Sequence, residues 1–526
     1  MKPLNINELS TEQKIGQLII ACCDSFKMDK EYIFEMLRDK RIGGVEVNYP
    51  SAEKCREEIA AVNEAAGYPV LVCRDMEQGC PGGEYKIPSM LALGITGDEE
   101  LAYQFGAVTA IEAKSIGYNT VWGPQVDLID GNAMFRIHRC LGENADFVGK
   151  MASAILRGYQ DNGMVTTAKH WPSPGDKRKD GHLFENVSEY TKADLVEKTF
   201  APYRYAIKAG QLTGVMTTHT VIPKSDSDYP TTLSEKNVAI LREEGFDGLV
   251  MTDSLGMTGF LSKFGTPAEC AAMAIKAGHD MVLIDRVPIK EVYESLLNAY
   301  RKGVFSEERL NDAVRRVIAA QNRTLRRAAA SVSEYQAKCM ERITREGVCT
   351  ITSDGVKAAL NNDTTKLFIV LVDNLYHSED GKPILNGNFV TYEKYIEIRE
   401  NILKKFPKSD VMLMNCLPSQ KQIYDASYRA SLVDEVVFIT NSIPKSYAAS
   451  ENLTEHIIVF MESVAKKISA IVHIGNPFAS QEFPHSPRVL LICGKEKIIE
   501  CVDSALLVLS GDIKPIGKMS IDLRLQ

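Results

Sequence analysis

The sequence predicts a two-domain α/β chain, an N-terminal (β/α)8 barrel of the TIM type followed by a smaller α/β/α sandwich. Three observations predict it. Apolar, β-branched runs alternate with helical patterns over the first two thirds, most of those runs end in a polar residue, and the pattern changes after a long charged helical stretch. Repeated strand–helix alternation implies parallel strands joined by crossover helices.

The strand-like runs are IGGVEV (42–47), PVLVCRD (69–75), TVWGPQVD (120–127), VTTAKH (165–170), GVMTTH (214–219), GLVMTDS (248–254) and DMVLID (280–285). Amphipathic segments such as DEELAYQFGAVTAIEAKSIG lie between them. A doubly wound open sheet gives a similar pattern, so periodicity does not choose between the two. The strand ends do. Asp75, Asp127, Lys169 with His170, His219, Asp253 and Asp285 close these runs, and a parallel barrel brings all strand C-termini to one face. Any one polar end needs no explanation beyond solvent, but six favour a barrel with a polar mouth.

The stretch RRVIAAQNRTLRRAAASVSEYQAKCMERITREG reads as long, charged helix. New buried-strand runs follow: LFIVLVD (367–373), DVMLMN (410–415), EVVFIT (435–440), AIVHIGNP (470–477) and RVLLIC (488–493). The expected division is a catalytic barrel over 1–330, a helical linker over 331–345 and an α/β sandwich over 346–526.

Composition narrows the function. The 526 residues are 45% hydrophobic and 25% charged, as in soluble globular proteins. A net charge of −8 argues against a nucleic-acid partner, because no basic surplus exists to displace counterions. No apolar run is long enough to span a bilayer, and the first residues lack a signal-peptide core. The 12 cysteines are scattered with no CxxC pair, which predicts reduced thiols, no metal site and a cytoplasmic protein. No cofactor is expected, and the oligomeric state is not legible.

The candidate chemistry sits at the strand ends. Asp253 closes an apolar run ahead of Ser254, where a carboxylate can act as nucleophile, ligand or helix cap. The loop KHWPSPGDKRKDGH (169–182) contains Asp180 two residues before His182. A carboxylate so placed can accept from Nδ1 and leave the other nitrogen free for proton transfer, although a surface Asp and His in a basic loop give the same pattern. Lys169 and His170 end a strand and can hydrogen-bond a polar ligand. Arg139 offers a planar bidentate donor or a salt bridge to Glu143. Asp75 and Glu77 form another acidic strand end, suited to sugar hydroxyls and poorly suited to a metal.

Together these motifs resemble glycoside hydrolase family 3, in its β-N-acetylglucosaminidase branch. LSTEQKIGQLII is similar to the family's opening helix, RDMEQG to D-x-E-x-G, RCLGEN to R-S-F-G-E-D, and KHWPSPGD to K-H-F-P-G-H-G-D. VMTTHTVIP…PTTLS, VMTDSLGM and IGNPF are similar to later family motifs. The resemblance implies a retaining double displacement with Asp253 as nucleophile and His182 as acid/base, oriented by Asp180. It implies that Asp75, Arg139, Lys169, His170 and His219 bind the sugar. The implied substrate is a small glycan with terminal β-linked N-acetylglucosamine, peptidoglycan fragments being natural candidates. Ser173 and Pro174 replace a family glycine and histidine, HLFENV replaces a proline-bearing continuation after the dyad, and DMEQGCPGGEYK lacks a substrate-gripping arginine. Phosphorolysis, a β-glucosidase or β-xylosidase activity, and non-catalytic sugar binding are the alternatives.

Overall fold

The computed structural model describes the chain apart from residues 1, 130–133, 177–178, 327–328, 330, 354, 356, 358, 373–374, 378–382, 386–391, 443–452, 495 and 524–526, and apart from the side chains of 23–25, 134–136, 227–228, 375–377, 383–385 and 392. The chain divides into two compact units. The first holds Met1–Tyr85, Glu99–Ala133 and Gly142–Cys339; the second holds Lys86–Asp98, Met134–Leu141 and Met340–Gln526.

In the first unit eight parallel strands close into a barrel. They are β1 (Ile19–Ala21), β2 (Gly44–Glu46), β3 (Leu71–Asp75), β4 (Thr120–Trp122), β5 (Val165–Trp171), β6 (Gly214–Thr217), β7 (Leu249–Ser254) and β8 (Met281–Ile284). Their order around the barrel follows the sequence, and β1 closes it by pairing both with β2 (Ile20 with Gly44) and with β8 (Ile20 with Leu283). The interior is side chains, not a pore: Ile20, Leu71, Cys73, Trp122, Val165, Met216, Leu249, Met251, Met281 and Leu283 pack in one cluster.

The seven predicted barrel strands are β2 to β8. The eighth, β1, lies in a stretch read as helix throughout. Its helix, Thr11–Gln17, is capped by Ser10 and stops early. Gly16 explains the tight approach there, since a Cβ at that position would lie 1.9 Å from the Arg41 carbonyl oxygen. The long charged helical stretch is also broken, into Glu307–Arg323 and Glu334–Glu346. The second helix restarts where Ser333 and Gln336 cap each other.

The second unit contains a six-stranded sheet: β9 (Val348–Thr352), β10 (Lys366–Val372), β11 (Ser409–Asn415), β12 (Glu435–Ser442), β13 (Ile468–Gly475) and β14 (Arg488–Ile492), in the order β9-β14-β13-β12-β10-β11. Only β9 runs antiparallel, along β14. Alternate residues feed opposite cores. Phe368, Val370 and Val372 face one cluster, while Leu367, Ile369 and Leu371 face the other. Helices Tyr392–Lys405 and Ile498–Ser510 supply the first cluster, Gln420–Ser431 and Glu455–Ser463 the second. Among the described residues no helix is long and apolar enough to cross a membrane.

Candidate active site

The site is built at the C-terminal ends of the barrel strands, where loops are free to vary over a rigid frame. Asp253 is the penultimate residue of β7, half-buried, and its Oδ1 accepts the Ser254 N–H at 2.7 Å. Burial pushes its carboxyl pKa up, but the His170 and His219 imidazoles, the Ser254 N–H and the His182 imidazole outweigh that and hold it below the ordinary aspartate value. Three histidines from three different segments therefore converge on one carboxylate.

His182 and Asp180 lie in the loop that follows β5. Asp180 is buried, and its Oδ1 faces His182 Nδ1 at 2.6 Å while also accepting the His182 N–H at 3.0 Å. The imidazole is more open, with 28% of its side-chain surface exposed. The turn is held by Leu183 and Phe184 N–H groups donating to the Asp180 carbonyl, at 3.0 and 2.9 Å. Its far side rests on the helix Thr258–Phe264 just after Asp253, where Gly259 N–H reaches the His182 carbonyl at 3.4 Å. Asp176 anchors the start of the loop by accepting from Ser188 Oγ and Glu189 N–H. Lys177 and Arg178 lie outside the described residues.

At the end of β5, the buried Lys169 ammonium is paired with Asp75 and with Glu77 Oε1 at 3.0 Å. Asp75 stays exposed at the mouth while this cation fixes it. His170 is buried beside Asp127: Nδ1 lies 2.8 Å from Oδ2, and the backbone N–H reaches Oδ1 at 3.0 Å. Burial lowers the His170 pKa, with Asp127 opposing and Lys169 adding to the shift. His219, just past β6, has both nitrogens committed to protein. Nε2 lies 2.8 Å from the Ser254 carbonyl, Nδ1 lies 2.6 Å from Thr232 Oγ1, and the ring packs on Phe260. Arg139 ends the short turn Met134–Arg139, which belongs to the second unit, and is half-buried there.

The first unit thus brings together Asp75, Lys169, His170, Asp180, His182, His219 and Asp253. Sequence reasoning gave no role to Asp127, although it marked the residue as a polar strand end. It noted Ser173 only as a departure from a family glycine. That glycine was itself a signal, because Ser173 adopts φ 51°, a conformation glycine reaches without strain. Among the described residues no group of His, Cys, Asp and Glu is arranged to hold a metal ion.

A barrel whose strand ends gather an ionised aspartate and a histidine–aspartate pair defines an enzyme-type site for polar ligands, and comparison with known proteins gives it a family. The model of the glycosyl hydrolase family 3 N-terminal domain matches residues 10–320, and the chain belongs to that family. It is 32% identical over 279 residues to a β-hexosaminidase of Vibrio cholerae, covering 49% of this chain and 83% of that protein. It is 28% identical over 329 residues to a β-N-acetylglucosaminidase/β-glucosidase of Cellulomonas fimi, covering 59% of this chain and 57% of that one. The chain therefore spans little more than half of the latter relative. A solved family 3 β-N-acetylglucosaminidase from Paenibacillus sp. shares the fold across 98% of this chain and 100% of its own, with TM-score 0.81 and 22% identity. A β-glucoside phosphorylase superposes with TM-score 0.82 at 21% identity over 99% of this chain and 94% of its own.

Proposed function

We propose that the chain is a retaining β-N-acetylglucosaminidase that removes terminal β-linked N-acetylglucosamine from small glycans. The observation that carries this reading is the short Asp180–His182 contact on a loop whose imidazole acts electrostatically on Asp253. Asp253, held as a carboxylate, attacks the anomeric carbon. The bond to the leaving oxygen breaks as His182 Nε2–H gives it a proton, which leaves a glycosyl ester on Asp253. The neutral imidazole then takes a proton from water, the oxygen attacks the same carbon, and Asp253 departs as carboxylate. Asp180 holds the proton on Nδ1 and stabilises the imidazolium formed in the second step.

Asp75, locked by Lys169, is assigned with His170 to the sugar hydroxyls. His219 is assigned a positioning role: its Nε2–H fixes the Ser254 carbonyl, and the Ser254 N–H in turn fixes Asp253. Peptidoglycan fragments met in the cytoplasm are the natural substrates on this reading.

The test is release of 4-nitrophenol from its β-N-acetylglucosaminide, with the β-glucoside as control. Selective turnover of the acetamido sugar supports the reading, and silence on both with measurable sugar binding refutes it. Phosphorolysis is the second reading, favoured by an imidazole acid/base that leaves less negative charge for phosphate to meet than a carboxylate would. A rate that rises with phosphate and yields the sugar 1-phosphate selects it.

A further inference from the structure

A buried carboxylate behind the sugar-facing histidine has no part in the steps above. Asp127, just past the end of β4, is 2% exposed and gathers donors on both oxygens. Gln125 Nε2 donates to Oδ2 at 2.6 Å, and the His170 N–H donates to Oδ1 at 3.0 Å. The Ser173 hydroxyl also meets Oδ1, and the His170 N–H is shared with Ser173 Oγ at 3.1 Å. A carboxyl group surrounded in this way is an ionised acceptor. The remaining contact, Oδ2 to His170 Nδ1 at 2.8 Å, must then be made by an Nδ1–H. His170 Nε2 has no hydrogen-bond partner among the described residues.

We propose that Asp127, braced by Ser173 and Gln125, is a positioning residue that fixes His170 in the Nδ1–H tautomer, so that Nε2 presents a lone pair to the ligand. This rests on the sugar-binding reading of the mouth and gives it a polarity. The hydroxyl that meets His170 must donate its hydrogen, and the Lys169 ammonium, next in the chain and ion-paired with Asp75 and Glu77, supplies the donating partner. Ser173 stands at φ 51° where a glycine would relax the backbone. Its hydroxyl replaces that freedom with a contact that clamps the 170–173 turn.

Two measurements test it. Nitrogen-15 shifts of His170 in the unliganded wild-type enzyme at neutral pH should show Nδ1 protonated and Nε2 bare. A protonated Nε2 overturns the proposal whether or not the protein cleaves any glycoside. With 4-nitrophenyl β-N-acetylglucosaminides carrying fluorine in place of each ring hydroxyl in turn, one position should lose about a hundredfold in kcat/KM, because fluorine accepts but cannot donate. In Asp127→Asn the side-chain amide can donate to Nδ1 and reverse the tautomer. The penalty at that position should then shrink to about tenfold or less while activity on the unmodified sugar falls roughly a hundredfold. An unchanged fluorine penalty in Asp127→Asn contradicts the proposal. If the tautomer is as stated and the acetamido sugar is not turned over, the glycosidase reading fails and the pinned histidine stands.

Discussion

His182 and Asp253 divide one reaction between them, and their substitutions should fail differently. Asp253→Ala removes the atom that forms the bond and should abolish turnover of the 4-nitrophenyl glycoside. His182→Ala spares the first step, since 4-nitrophenolate leaves with little help, but removes the base from the second. It should give a burst of nitrophenol followed by a steady rate about 100- to 10,000-fold below wild type. Azide should restore that rate by forming the glycosyl azide, and a His182→Ala enzyme with neither burst nor azide rescue would contradict the assignment. The contact between Asp180 and His182 was legible from their spacing of two residues, whereas their role came only from the resemblance to family motifs. The partnership of Asp127 with His170 was not, because 43 residues separate them and only the adjacency of β4 and β5 brings them together. His219 was legible as a polar strand end, but the partners of its two nitrogens, Thr232 and the Ser254 carbonyl, were not, because they lie 13 and 35 residues away.

Among the elements, the loop after β5 and the helix after β7 are coupled through Gly259. A Cβ there would sit 2.4 Å from the Phe184 carbonyl oxygen. Gly259→Ala should therefore displace the dyad loop and cut kcat/KM by at least about tenfold with little change in melting temperature, because the barrel core is untouched. Equal activity in that variant would mean that the loop does not need its seat. Long apolar runs such as Leu367–Leu371 were readable because both faces of β10 are buried. Strand β9 was missed for the opposite reason: only Val348 and Cys349 are buried, and Ile351 and Thr352 face solvent. With β1, three apolar residues directly after a helix give periodicity nothing to separate.

At the scale of the whole molecule, a fully buried histidine in the core of each unit, His279 in the first and His473 in the second, is held neutral. His279 contacts Thr217 and the Ala274 carbonyl, and burial pushes its pKa down to about 3. His473 contacts Thr440 and Ser442, and burial pushes its pKa down to about 4. Both pKa values lie below that of an unfolded histidine. The unfolded chain therefore binds more protons as pH falls through about 6.5, and stability is lost from there down to about 4. Each histidine contributes a slope of about 1.4 kcal/mol per pH unit within that window. Urea melts between pH 7 and 4.5 should show it, and His279→Gln should flatten it. The division into units carries a further consequence. Lys518 N–H bonds the Ile95 carbonyl, and Ser520 Oγ the Leu141 carbonyl, all within the second unit. A fragment of residues 346–526 should lack those partners and fail to give a cooperative melt, which composition and strand patterns alone could not announce.

Trapping the glycosyl ester on Asp253 tests the double displacement most directly. The enzyme would be treated with 5-fluoro-N-acetylglucosaminyl fluoride, which slows both steps but departs readily as fluoride, then digested and its peptides weighed. One added fluorosugar is expected on the peptide containing Asp253, and it should be lost in Asp253→Ala. Turnover without any adduct, releasing the sugar with inverted anomeric configuration, would contradict the double displacement.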